Sequence, residues 1–195
     1  ERVADVQNNR GIALGKLGRF DKAFEALGIA LEARKKQNEQ CSGESYNDTA
    51  AQPASAIVST LHNIANIFRD AGNPSEALRV LAEAQQTLNV HSRNTTLHQK
   101  HHSWHQSARI STAIGHVYYE SHAWREARGA YGEALTTYNQ LQRSLLNHSE
   151  SMKWNTNDDK DKRREVVQHQ QLIQQEMTVL EKDLDELERS QQAKD

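Results

Sequence analysis

The stretch from Thr60 to Leu88, TLHNIANIFRDAGNPSEALRVLAEAQQTL, decides the fold class of this chain. Leu61, Ile64 and Phe68 follow one another at spacings of three and four residues, which predicts an apolar stripe along one face of a helix. Gly72 suits the left-handed position that ends a helix, and the residues after it can begin a second one. The stretch therefore predicts two antiparallel helices joined by a tight turn.

The same pattern occurs twice more, once before this stretch and once after it. Aligned on Ala23, Ala77 and Ala127, the copies are separated by 54 and 50 residues. A recurring helical hairpin indicates a solenoid, in which each unit buries its apolar face against its neighbours. The third copy has His122 where the others have glycine, so we expect a less tight turn there.

This combination of small, aromatic and glycine positions resembles the tetratricopeptide repeat, a helical hairpin of about 34 residues. The segment LHNIAN at residues 61–66 is most similar to the repeats of kinesin light chains. The resemblance extends over roughly half of the chain in three units, whose spacing is longer than that of the family. It implies an all-α solenoid, a right-handed superhelix of three hairpins, and the pattern of the residues after them adds a long C-terminal helix.

The pattern along the chain predicts the boundaries of these units. We expect hairpins at about 2–37, 54–90 and 97–147, together forming a solenoid over residues 1–147, with a polar loop at 38–52. A polar linker at 148–160 would then lead to a helix at 161–193. The apolar residues of that helix follow a heptad seam, namely Val166, Ile173, Met177, Leu180, Leu184 and Leu187. Two interpretations stay open: a capping helix on the last hairpin, or a coiled coil that forms a homodimer or docks a partner.

Composition narrows the classes of partner. The formal net charge of −2 gives no signal for binding a polyanion, so we expect no nucleic acid. One cysteine, Cys41, excludes an internal disulfide and fits a reducing compartment. No apolar run approaches the roughly 18 residues of a membrane span, so we expect no membrane insertion. The chain begins within a helical pattern and shows no targeting segment. We therefore expect a fragment of an intracellular, cytoplasmic protein, with an organelle left open.

The resemblance also implies where a partner would bind. In such solenoids the first helix of each hairpin lines a concave groove, and an asparagine amide there can pair with the backbone of an extended peptide. Asn9 and Asn63 match that asparagine, whereas Ala113 interrupts the series in the third unit. A carboxylate-binding clamp could be built only in part, from Asn8, Asn63 and Arg109. The predicted groove residues are Asn9, Asn63, Asn66, Arg69, Arg109, His116 and Tyr119.

A histidine cluster is the single hint of metal chemistry. His98, His102 and His105 share one face of a helix, and neutral imidazoles at such spacing can bind zinc, nickel or copper. The alternative, which we favour, is a polar and exposed helix start in a histidine-rich protein.

Taken together, the sequence predicts a scaffold for protein–protein interaction that binds a peptide segment of a partner in its concave groove. The sequence contains no phosphate-binding loop and no nucleophile or HExxH motif, so we expect neither an enzyme nor a cofactor. The alternative is an assembly subunit that docks through its convex face and C-terminal helix. A further alternative is a metal-binding protein built on the histidine cluster.

Overall fold

The computed structural model describes residues 2–41, 51–91, 96–151 and 157–192. Within these ranges the chain forms seven α-helices, which confirms the all-α prediction. They are α1 (Arg2–Lys16), α2 (Phe20–Cys41), α3 (Ala51–Asp70), α4 (Pro74–His91), α5 (Leu97–Glu120), α6 (Trp124–Ser151) and α7 (Asn157–Gln192). None of the described helices combines the length and the apolar character that crossing a membrane requires.

Consecutive helices pack as three hairpins, α1 with α2, α3 with α4 and α5 with α6. The alanines used to align the repeats, Ala23, Ala77 and Ala127, are fully buried where the two helices of each hairpin meet. On two of the first helices, a glycine lies at a similarly close contact with the partner helix. A Cβ atom at Gly11 would lie 2.5 Å from Leu27 Cγ, and one at Gly115 would lie 2.3 Å from the Tyr131 ring. These small residues let the paired helices approach closely, which explains why they recur in the sequence.

The three turns within the hairpins have one common backbone geometry. Gly18 and Gly72 adopt positive φ angles of 69° and 76°, and His122 adopts 59°. In each turn the residue that follows donates its N–H to a carbonyl five residues earlier, as Asn73 does to Phe68 and Ala123 to Tyr118. The prediction of a less tight third turn was therefore wrong. The packing of α5 against α6 holds His122 in a conformation that side chains otherwise avoid.

Two predicted connections are shorter than the sequence indicated. The loop predicted at 38–52 is shorter at both ends, because α2 continues to Cys41 and α3 begins at Ala51. Glutamate and glutamine, which are good helix formers, occupy positions 39 and 40 and extend α2. The linker predicted at 148–160 is likewise shortened, since α6 reaches Ser151 and α7 begins at Asn157 rather than at 161. The centres of both connections, 42–50 and 152–156, lie outside the described residues.

The first helices of the hairpins lie side by side and run in the same direction. Asn8 of α1 contacts Asn63 of α3, and seven residues later Gly15 faces Ile67. Further along the solenoid, Ser59 of α3 contacts Gln106 of α5, and Arg69 approaches Glu120. Because the contact positions advance together on both partners, α1, α3 and α5 form a parallel row, as the solenoid prediction requires.

A buried arginine, which the sequence analysis did not single out, ties the first three helices together. Arg34 on α2 is 7% exposed and donates hydrogen bonds to the Ala56 carbonyl of α3 and to the Asp5 carboxylate of α1, both at 2.8 Å. It also contacts the hydroxyl of Thr60. A buried guanidinium is tolerated only with such partners, so this residue fixes the junction between the first and second hairpins.

The last helix continues the parallel row. Its seam residues Ile173, Met177, Leu180 and Leu187 are buried in one apolar cluster with residues of α5 and α6 such as Tyr138. His105 and His116 of α5 reach Glu176 and Asp183 of α7, so α7 runs parallel to α5. Helix α7 therefore occupies the position that the first helix of a fourth hairpin would take. The side chain of Val166, the first residue of the predicted seam, lies outside the described part of the structure.

Candidate functional site

A cavity of about 560 Å³ opens between the parallel helices, and we call it the concave cavity. Polar and apolar side chains from the first helices line one side of it, and α7 closes the opposite side. Its lining includes Ile12 and Lys16 of α1; His62, Asn63, Asn66, Ile67, Arg69 and Asp70 of α3; Arg109, Thr112 and His116 of α5; Tyr138 of α6; and Leu172, Glu176 and Val179 of α7. The volume lies within the range of ligand sites in proteins, roughly 300–1,000 Å³.

Two asparagine amides of α3 lie in this wall, and both contact neighbouring side chains; that of Asn63 also interacts with His62. Asn63 Nδ2 donates to Asn8 Oδ1 at 3.1 Å. Asn66 Nδ2 lies 3.3 Å from His62 Nδ1, where the amide can donate to a neutral imidazole. An amide offers two donors and an acceptor with two lone pairs, so both side chains keep capacity for a peptide backbone.

Three cations face the concave cavity, and they differ in how they are paired. Arg69 donates to the Asp70 carboxylate at 2.8 Å and lies 3.4 Å from Glu120. Within the described part of the chain, neither Lys16 nor Arg109 has a hydrogen-bond or ion-pair partner. The wall formed by α1 and α5 therefore presents two cations that are in no direct ion pair within the described residues.

The carboxylate that α7 brings to the cavity is held within the protein. Glu176 accepts a hydrogen bond of 2.7 Å from His105 Nε2. Burial acts to raise the pKa of Glu176, but the hydrogen bond and charge of His105, the Tyr138 hydroxyl and the Arg109 charge outweigh it, so the pKa lies below its ordinary value. Burial, together with the Glu176 charge, raises the pKa of Tyr138. Glu176 thus stays ionised, and Tyr138 stays protonated and able to donate to it.

The pKa of His62, another residue of the cavity, is shifted well below its ordinary value. Burial of the ring is the largest cause, followed by the positive charge of Arg109 and then by Arg69 and His116. Together they lower the pKa of His62 to about 4. The ring is therefore neutral at pH 7, in agreement with its Nδ1 atom accepting from Asn66.

The structure brings most of the predicted groove residues to one place. Asn63, Asn66, Arg69, Arg109 and His116 all line the concave cavity.

Two other predicted groove residues lie elsewhere. Asn9 is exposed on α1 and does not line the cavity, because the neighbouring Asn8 turns towards α3. Tyr119 packs edge-on against Trp124 with ring centroids 5.3 Å apart, at the turn between α5 and α6. Asn9 therefore lies about one residue of helix rotation away from the face that Asn8 presents to α3.

The histidines of the predicted metal site point in different directions. His102 contacts Ser55 on α3, whereas His105 contacts Glu176 on α7. The side chain of His98 lies outside the described residues. No group of three metal-ligating side chains converges anywhere in the described ranges of the chain. The two described rings serve as contacts between helices.

Helix α7 contributes residues to the site that were not predicted from the sequence. Leu172 and Val179 are 44% and 58% exposed and form an apolar edge of the cavity beside Glu176. Leu172 and Val179 are seven positions apart, and each directly precedes a residue of the buried seam, Ile173 or Leu180. A second, weaker apolar row next to the seam was the signal that could have revealed an exposed face.

Comparison with known families now adds to this geometry. Residues 57–87 match the family model described as tetratricopeptide repeat. This segment covers most of α3 and the larger part of α4, which form the middle hairpin. The match supports a repeat protein of the tetratricopeptide type, and such repeats generally bind protein partners as scaffolds without enzymatic activity. The finer resemblance to kinesin light chains stays a prediction. A comparison with curated proteins gave no match.

Proposed function

We propose that this protein is a protein–protein interaction scaffold and that an extended segment of its partner binds in the concave cavity. The observation that carries the proposal is the lining of this cavity. Amides, the cations Lys16 and Arg109 and an apolar edge are held on four parallel helices around one opening. An extended peptide exposes backbone donors and acceptors along both edges. The amides of Asn63 and Asn66 can form hydrogen bonds with them whatever the side chains of the peptide are.

The rigidity of the wall supports the proposal. Asn63 is fixed by Asn8, and α7 is fixed on α5 by His105 and His116 through their carboxylate partners. Side chains held in place lose little conformational entropy when a ligand binds, which favours affinity.

The alternative of an assembly subunit docking through its C-terminal helix has less support. The described seam residues of α7, for example Ile173 and Leu180, are already buried against α5 and α6 of the same chain. A homodimer through this seam would first have to remove α7 from the solenoid. The seam therefore favours the capping interpretation over the coiled coil.

A peptide selection tests the proposed function. Random linear peptides displayed on phage are selected on the purified protein, and the enriched peptides are titrated by calorimetry against wild type and Asn66→Ala. Loss of one amide that bonds the peptide backbone should weaken binding by about 3- to 10-fold. The matched control is Asn139→Ala on α6, which does not line the cavity and should leave binding unchanged. Equal binding by all three proteins would reject the concave cavity as the site.

A further inference from the structure

The imidazole of His62 lies in the concave cavity among charged and titratable groups from every surrounding helix. They are Lys16 of α1, Arg69 and Asp70 of α3, Arg109 and His116 of α5, Tyr138 of α6 and Glu176 of α7. Both carboxylates among them are engaged, Asp70 with Arg69 and Glu176 with His105. Of the permanent cations, Lys16 and Arg109 form no hydrogen bond or ion pair with the residues that the structure describes, although the charge of Arg109 also acts on Glu176. Glu120 beside Arg69 and Asp183 beside His116 add negative charge further out, but the permanent charges that act most strongly on His62 itself are those of the cations Arg109 and Arg69.

Apolar side chains flank this positive region on two sides. Ile12 and Ile67 line the cavity from α1 and α3, and Leu172 and Val179 line it from α7. A segment that fits the wall would therefore carry an acidic side chain between apolar ones. Its carboxylate would face the cations while its apolar neighbours cover the two edges.

Extending the proposed function, on which this inference rests, we propose that the partner segment places an aspartate or glutamate side chain between His62 and Arg109, and that His62 takes up a proton when this happens. The carboxylate would accept hydrogen bonds from the Arg109 guanidinium and from the protonated ring. On protonation, Nδ1 of the ring would become a donor. The Asn66 amide, 3.3 Å away, can rotate to present its oxygen instead of its nitrogen.

Electrostatics explains why the proton and the ligand arrive together. Without a ligand, burial and the charges of Arg109, Arg69 and His116 keep the ring neutral and its pKa at about 4. A carboxylate beside the ring would offset those charges and bring the pKa back towards the ordinary value of about 6.5. Because binding and protonation are then linked, the acidic segment should bind about tenfold more tightly at about pH 5.5 than at about pH 7.5.

The test uses a peptide from the display selection described above and a second version in which each aspartate or glutamate is replaced by its amide. Affinities of both are measured for the wild-type protein at the two pH values. We expect the acidic peptide to bind more tightly than its amide version and to gain about tenfold on acidification. The amide version should show little pH dependence. A pH-independent affinity of the acidic peptide would overturn the inference, as would equal affinity of the two versions.

Variants of the protein separate the two roles. Arg109→Gln should abolish the preference for the acidic peptide, whereas Arg143→Gln, an exposed arginine on α6, should not. His62→Gln should remove the pH dependence, whereas His122→Asn, in the exposed turn before α6, should keep it. A direct readout that does not depend on any variant is the NMR titration of the His62 ring. Its pKa should rise when the acidic peptide is added, and an unchanged value would contradict the inference.

Failure of this inference can be told apart from failure of the proposed function. If acidic and amide peptides bind equally but both lose affinity with Asn66→Ala, the cavity is a peptide site and His62 has no part in recognition. If selection yields no peptide whose binding depends on the cavity residues, both the proposed function and this inference fail.

Discussion

At the scale of single residues, the fold depends on positions where a larger side chain does not fit. Gly115 on α5 faces the Tyr131 ring of α6, and Tyr131 is 1% exposed. The ring has no open space to move into, because it lies within the apolar cluster shared by α5, α6 and α7. Close approach at such a point is what allows the two helices of one hairpin to pack against each other.

This contact gives a prediction for stability. Gly115→Ala should lower the free energy of unfolding by about 1–3 kcal/mol, because the added methyl group would force Tyr131 to shift. Gly132→Ala on α6 is the matched control, since nothing lies within 4 Å of its added Cβ atom. The control should be neutral or stabilising by up to about 1 kcal/mol, as alanine is the better helix former. Urea unfolding measures both, and equal effects would contradict the packing described here.

A second prediction at this scale concerns pH. The pKa of His62 is about 4 in the folded protein, below its ordinary value of 6.5. Between these values the unfolded chain binds the proton and the folded chain does not, so stability falls as the pH falls. The contribution of His62 is complete above about pH 6.5 and should decline by about 1–2 kcal/mol on reaching about pH 5.

The measurement compares wild type with His62→Gln at each pH, so that other titrating groups cancel. The pairs of His105 with Glu176 and of His116 with Asp183 are common to both proteins. The stability difference between the two proteins should change with pH in the direction just given. A constant difference across that range would show that the ring does not stay neutral in the folded protein.

At the scale of helices, the sequence predicted most of the architecture because its signals are local. Apolar spacing along α3 and α4, and small residues such as Ala77, specify a hairpin within about 30 residues, and the repetition of that pattern specifies a solenoid. The position of α7 is different. Its contact between His105 and Glu176 joins residues 71 positions apart, and no local spacing encodes such a contact.

The side chains at the candidate site were predicted less well because their orientation depends on neighbouring helices. A helical pattern shows which residues share a face, but adjacent residues such as Asn8 and Asn9 differ only by a rotation that the neighbouring helix decides. The turn at His122 was mispredicted for a related reason. Packing of α5 on α6 imposes the turn geometry, and a local rule about glycine cannot express that constraint.

The placement of α7 gives a prediction for two neighbouring side chains. Leu180 is 1% exposed within the seam, whereas Val179 is 58% exposed beside the concave cavity. Leu180→Ala should cost about 2–5 kcal/mol of unfolding free energy, since it leaves a cavity in the cluster with α5 and α6. Val179→Ala should change stability by only about 0.5 kcal/mol. Thermal and urea unfolding report both, and a small effect of Leu180→Ala would mean that α7 does not pack on its own chain.

At the scale of the whole molecule, the described chain is a row of parallel helices, α1, α3, α5 and α7, backed by α2, α4 and α6. The last helix both covers the apolar end of the third hairpin and supplies the fourth side of the concave cavity. Capping and ligand binding are therefore connected, because a variant that loosens α7 also removes one wall of the site. This connection is the reason for testing binding with substitutions such as Asn66→Ala that leave the α7 seam intact.

The central claim is that a partner segment lies along the concave cavity, and amide chemical-shift mapping tests it most directly. A selected peptide is added to isotopically labelled protein, and the shifts of backbone and side-chain amides are followed. We expect the largest changes at the cavity residues Asn63, Asn66, Arg109 and Val179, with the exposed side of α6 unchanged. Changes confined to α2, α4 and the outer side of α6 would place the partner on the convex face and contradict the account.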